Sequence, residues 1–274
     1  STTTTCTTST TTSTTTTTTP HTITVLQRFA GFHNTGLAVW GDSVSLACYI
    51  LRPHLLLTKE NVTWTSKHLR HMLSKDVLHN SGHLRHMLSK EVLHKVVAMM
   101  PQLDDQAWVE VGCGVGVLSL ALAKFGKGAQ KVVATDGDAQ TCTLALENVA
   151  KNNCEDRINV VKCEWGNEKD HESVGRQAYD VVVGSDLTYW PAPMDQLMVT
   201  VLELVKPDGT VIFAHKDRQH SKSNDLKFFK DMNEKFNEYA CAFVMDQASP
   251  GKTGGDVTEE PGMWIHVYRG LKRV

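Results

Sequence analysis

WVEVGCGVGVLSLALAKF, residues 108–125, opens as a short β-run, turns on Gly112, Cys113 and Gly114, and continues as an apolar segment long enough for a buried helix. A strand that feeds a glycine turn and then a helix is the nucleotide-binding βα unit. Glycine lets the backbone approach a ligand closely, and the helix N-terminus offers free N–H groups.

The spacing narrows the ligand. The dinucleotide fingerprint runs G-x-G-x-x-G, whereas Val117 stands in the third glycine's place and Gly116 comes one residue early. That spacing counts against a nicotinamide oxidoreductase. So does Glu110, which ends the strand just before the turn, where its charge would repel a pyrophosphate and attract a cation. S-adenosylmethionine, with a sulfonium and an amino group, is such a cation.

Working outward, the chain after Gln106 alternates strand and helix, the pattern of a mostly parallel sheet covered on both faces. Strands are expected at KVVATD (131–136), INVVK (158–162), YDVVVGSD (179–186), TVIFAH (210–215), ACAFVM (240–245) and WIHVYR (264–269). Helices are expected at about 139–152, with Leu144, Leu146 and Val149 inward, at about 194–205 and at about 224–237. CEWGN (163–167) and KPDG (206–209) read as turns, and 249–262 as a mobile loop.

Upstream, residues 1–20 form a Thr/Ser tail that has nothing to bury and is expected to be disordered, and residues 21–274 form one domain. HTITVLQRF (21–29) reads as a strand, and Ser43 as the N-cap of a helix whose apolar face includes Val44, Leu46, Ala47, Tyr49 and Ile50. HLRHMLSKDVLH (68–79) recurs as HLRHMLSKEVLH (83–94), an inserted duplicated segment near 52–100 in which each copy has the spacing of a short amphipathic helix. Its His68/His71 and His83/His86 pairs lack the Cys or carboxylate that would complete a tetrahedral set, so no metal is expected.

Charge and cysteines exclude more. A net charge of −2 gives no basic footprint for nucleic acid. Seven cysteines are odd in number and contain no C-x-x-C pair, which suits reduced thiols in the cytoplasm or nucleus. No apolar run reaches membrane-spanning length, and a monomer is expected.

In a doubly wound sheet the ligand lies at the carboxyl ends of the strands, where strand order reverses. Asp136 stands at such an end, where a carboxylate can accept from both ribose hydroxyls; the competing role is helix N-cap, for which Asp138 is also placed. Trp165 sits in a tight Trp-Gly turn suited to an adenine face. Ser185 and Asp186 end the next strand, with Tyr189 three residues on.

Five blocks now carry a resemblance: GLAVWGDSVSLACYIL (36–51), VEVGCGVGVLSLALA (109–123), VVATD (132–136), CEWGN (163–167) and VVVGSDLTYWP (181–191). In that order they resemble the seven-β-strand protein lysine methyltransferases, the group typified by the methyltransferase-like 21 enzymes. The resemblance implies a Rossmann-like α/β fold, a doubly wound seven-stranded sheet that is mostly parallel with an antiparallel last strand. It implies S-adenosyl-L-methionine as cofactor and a protein presenting a lysine as partner. Trp40 would border the cofactor pocket; Glu110, Gly112, Cys113 and Gly114 would hold the methionine end, Asp136 the ribose, and Trp165 and Ser185 the adenine side. Asp186 and Tyr189 would line the lysine channel as the catalytic pair.

The chain departs from the family in two places: Gly41 follows the Trp, with the acid one position later at Asp42, and the duplicated insert lengthens the path to the glycine turn. Two other readings compete. One is a methyltransferase-fold adaptor, against which stand the acids Glu110, Asp136 and Asp186 at three strand ends. The other is a nucleic-acid or small-molecule methyltransferase, against which stand SDLTY in place of an Asn-Pro-Pro-Tyr motif and the lack of basic surplus.

Overall fold

A computed structural model describes residues 2–8, 21–27, 41–59, 61, 90–126, 131–188, 192–216, 222–245 and 262–272. Strands β1 (Thr2–Thr8) and β2 (His21–Gln27) form an antiparallel pair. Then come α1 (Gly41–Leu51), a 3-10 turn (Pro53–Leu57), α2 (Lys90–Met99), β3 (Ala107–Val111), α3 (Val117–Phe125), β4 (Lys131–Asp136) and α4 (Ala139–Lys151). The chain continues with β5 (Ile158–Lys162), α5 (Glu168–Val174), β6 (Tyr179–Ser185), α6 (Met194–Leu204), β7 (Val205–His215), α7 (Lys222–Lys235), β8 (Phe236–Met245) and β9 (Gly262–Leu271).

The seven-stranded sheet has the order β5-β4-β3-β6-β7-β9-β8, parallel except for β9, which runs antiparallel to both neighbours. This is the expected architecture. The chain steps outward from β3 to β4 and β5, then returns to lay β6 on the other side. The carboxyl ends of β3 and β6 therefore open the crevice where a ligand sits in such sheets.

Strand alternation divides the core into two faces. Trp108, Val181, Val183, Ile212 and Ala214 pack with α1–α4 and β2 on one face. Val109, Val111, Val182, Val211 and Phe213 pack with α5–α7 on the other. Helix α3 is the centre of the first face: Leu118, Leu120 and Leu122 are fully buried, each worth roughly 1.5–3 kcal/mol in apolar burial.

Several expectations are corrected. Within the Thr tail, Thr2–Thr8 takes a strand conformation, which β-branched Thr favours, and pairs through its backbone with β2. Ser43 lies inside α1, which begins at Gly41, so it is not the cap. Leu146 is half exposed: α4 turns inward through Leu144, Ala145, Asn148 and Val149, and 146 falls on the opposite side of the helix. Helix α5 was not foreseen; Asn167, at the end of CEWGN, caps it by accepting from the Lys169 and Asp170 N–H groups. The KPDG turn interrupts β7, where pairing with β6 jumps from Tyr179↔Val205 to Val181↔Thr210. Of the duplicated segment, Lys90–His94 opens α2, with Leu93 buried. The rest of both copies, including the four histidines, and most of the loop at 249–262 lie outside the described residues. Among the described residues no helix is long and apolar enough to cross a membrane.

Candidate active site

Glu110, two residues on from Trp108 along β3, shares its face of the sheet and so faces α3, where it is 1% exposed. Its Oε2 accepts from the Ser119 N–H at 2.9 Å and from the Ser119 hydroxyl. Burial pushes its carboxyl up to about 7; the two Ser119 bonds pull the other way, and Asp136 adds to the push. A buried carboxylate so poised gains from any cation brought near it.

The turn after Glu110 has left-handed φ at Gly112 (65°), Gly114 (54°) and Gly116 (83°), a run that side chains oppose. A Cβ on Gly112 would stand 2.5 Å from Leu187 Cδ2 and 3.3 Å from Trp165 Cζ2. The turn therefore touches the loops after β5 and β6 at once. The Cys113 N–H donates to the Thr135 carbonyl at 2.8 Å and the Gly114 N–H to Asp136 Oδ2 at 3.1 Å, so both amides are engaged within the fold. The Cys113 thiol is held well above its usual range, first by burial and then by Glu110 and Asp136, which removes it as a nucleophile.

Asp136 and Asp138 divide the roles that compete in the sequence. Asp138 caps α4 through Oδ1, accepting from the Thr141 N–H at 2.7 Å, a contact of about 1 kcal/mol. Asp136 is left half-buried at the strand end, accepting from the N–H groups of Gly114 and Asp138. Burial raises its pKa while those amides hold it down.

Trp165 is half-buried in a turn with Gly166 at φ 81°, and the Gly166 N–H donates to Thr200 Oγ1 of α6 at 2.9 Å. Ser185 and Asp186 are buried at the end of β6. Ser185 Oγ has no hydrogen-bond partner among the described residues. Asp186 sits at φ 59° with its N–H donating to the Ala214 carbonyl at 2.8 Å. Trp40 and Tyr189 lie outside the described residues.

The structure thus brings Glu110, Gly112, Gly114, Asp136 and Trp165 around one turn, with Ser185 and Asp186 at the end of the strand next to β3. Two acids, a glycine cradle already touched by an aromatic edge, and an unpartnered buried hydroxyl suit a cationic adenosyl group with ribose hydroxyls. Ser119 and Asn148 were missed in the sequence. Their only signal was a polar residue set within an apolar helix face.

The chain is similar to the protein-lysine N-methyltransferase EFM3 of Chaetomium thermophilum, 31% identical over 123 residues, covering 42% of this chain and 36% of that protein. It is similar to the ribosomal protein L11 methyltransferase of Colwellia psychrerythraea, 35% identical over 112 residues, covering 41% and 34%. The matched stretch spans about a third of the length of these curated relatives. Among solved structures it is similar to M. jannaschii TYW2 in complex with AdoMet, with a TM-score of 0.42, 15% identity, and coverage of 68% of this chain and 78% of that one. The lysine methyltransferase family matches residues 21–235, most of the chain, and the chain belongs to that family.

Proposed function

We propose that this chain transfers a methyl group from S-adenosyl-L-methionine to a lysine side chain of a protein substrate. The observation that carries the reading is the placement of Glu110, Asp136 and Asp186 at the carboxyl ends of three neighbouring strands, around a glycine turn. Family membership and the partial likeness to two kinds of protein methyltransferase support a protein as acceptor.

When bound, the cofactor supplies an electrophilic methyl on a sulfonium centre. In this proposal Glu110 and the Gly112–Gly114 turn hold the amino-acid end, Asp136 accepts from the ribose hydroxyls, and Trp165 and Ser185 border the adenine. A free lysine, with pKa ~10.4, is almost wholly protonated at neutral pH and must lose a proton before it attacks. Asp186 orients the amine by accepting its N–H, while the buried surround of Leu187 and Thr188 disfavours the ammonium form. Alignment and exclusion of water are then the main catalytic contributions. Tyr189 completes the channel in this reading, and Trp40 the far wall of the cofactor pocket. We further propose a monomer working in the cytoplasm, in which the odd set of cysteines stays reduced, with no nucleic-acid partner.

The test is transfer of labelled methyl from S-adenosylmethionine into a cell extract, with Asp186→Ala alongside. A discrete protease-sensitive band that is absent with the variant is expected. Label that survives protease and yields to nuclease, or runs with small molecules, overturns the lysine reading.

A further inference from the structure

Two buried asparagines, Asn148 on α4 and Asn152 at its C-cap, hold β2 by imitating a neighbouring strand. Asn148 Oδ1 accepts from the Leu26 N–H at 2.6 Å and its Nδ2 donates to the Leu26 carbonyl at 3.1 Å. Asn152 Oδ1 accepts from the Thr24 N–H at 3.1 Å and its Nδ2 donates to the Thr24 carbonyl at 2.7 Å. The match is metric. Four residues of helix rise about 6 Å and two residues of strand about 6.6 Å, so amides one helical turn apart meet alternate strand residues.

The two asparagines differ in their further contacts, and Asn152 Oδ1 also accepts from Lys124 Nζ at the end of α3 at 3.4 Å. Asn148 Nδ2 also donates to the Val115 carbonyl at 3.0 Å, within the turn between β3 and α3. The corresponding Asn152 Nδ2 instead donates to the Asn148 carbonyl at 2.8 Å. A single buried amide therefore ties the N-terminal strand to the glycine turn. It does so one residue before Gly116, which caps α3 at φ 83° and whose Cβ position lies 3.8 Å from Ala145 Cβ of α4.

We propose that Asn148 is a positioning residue for the glycine turn, so that docking of β2 sets the affinity for S-adenosylmethionine. The inference rests on the cofactor reading above. Removing the Asn148 amide takes a donor from a buried carbonyl in the turn and frees β2 at Leu26. Removing Asn152 frees β2 at Thr24, along with Lys124 at the end of α3 and the Asn148 carbonyl, and takes no bond from the Val115 carbonyl in the turn. Linkage makes the effect reciprocal: a ligand that orders the turn must tighten β2 by the same factor.

The probe is S-adenosylhomocysteine, titrated calorimetrically into the wild-type chain, Asn148→Ala and Asn152→Ala, with thermal unfolding of each. Both variants are expected to unfold at lower temperature. Asn148→Ala should bind about fivefold more weakly or worse, and Asn152→Ala within about twofold of wild type. In the unaltered protein, saturating S-adenosylhomocysteine should slow hydrogen exchange at the Leu26 amide, a measurement that decides the matter even if Asn148→Ala does not fold. Equal affinity losses in the two variants, or Leu26 exchange indifferent to ligand, overturns the inference and leaves the cofactor reading standing. Absence of binding to the wild-type chain overturns both.

Discussion

Ser119 holds Glu110 twice, through its N–H at 2.9 Å and through its hydroxyl, both to the same carboxylate oxygen. These bonds only partly offset burial, which lifts the carboxyl from 4.5 to about 7. The folded chain thus binds this proton more tightly than the unfolded chain. The contribution of Glu110 to stability is then greatest below about pH 4.5, falls as pH rises toward about 7, and levels off beyond. The span corresponds to a loss of about 3 kcal/mol, as an order of magnitude. Glu110→Gln should flatten this slope; thermal unfolding of both proteins between pH 5 and pH 8 measures it, and parallel curves would remove Glu110 as its source.

The same group predicts how the cofactor binds. A cation beside Glu110 favours the carboxylate, so binding below about pH 7 should release a proton and affinity should climb as pH rises through that value. Calorimetry of S-adenosylmethionine in buffers of different ionisation enthalpy reads the proton directly. Glu110→Gln should abolish the release.

Asp186 combines chemistry with an unfavourable backbone. At φ 59° a non-glycine residue carries strain that Asp bears better than most and Gly does not feel. Asp186→Ala should abolish methyl transfer with cofactor affinity kept, and should lose about 1 kcal/mol in urea unfolding. Asp186→Gly should be equally inactive yet at least as stable as the wild type. Transfer undiminished in either variant would take Asp186 out of the site.

Gly112→Ala tests the turn. A methyl there meets Leu187 Cδ2 at 2.5 Å on a backbone at φ 65°. It should lower stability by about 1–3 kcal/mol and weaken S-adenosylhomocysteine at least tenfold. Differential scanning fluorimetry with and without that ligand separates the two losses.

The sheet was legible because its signals are local. Apolar runs of five to eight residues end in Asp136 and Asp186, and the Gly112–Gly116 turn sits between strand and helix. The acids at strand ends were legible because nothing in the core has use for them. Asn148 was not, since its importance comes from Leu26 and Val115, which lie far from it in the sequence. Leu146 misled for a related reason. Hydrophobicity suggested it faced inward, but the buried side of α4 runs through Leu144, Ala145, Asn148 and Val149, and position 146 falls on the opposite side. Helix α5 escaped because its only strong cue, the Asn167 cap, sat inside a block read as a turn.

The pairing of β1 with β2 has a consequence for how the N-terminal repeat can change. Six of the seven residues of Thr2–Thr8 are identical, and Cys6, opposite Ile23, alone distinguishes one alignment from another. Sliding such a strand by two residues restores the same ladder and the same alternation of faces. Gain or loss of threonines in pairs therefore leaves an equivalent partner for β2, so repeat length can drift while the arm beside α4 keeps its shape.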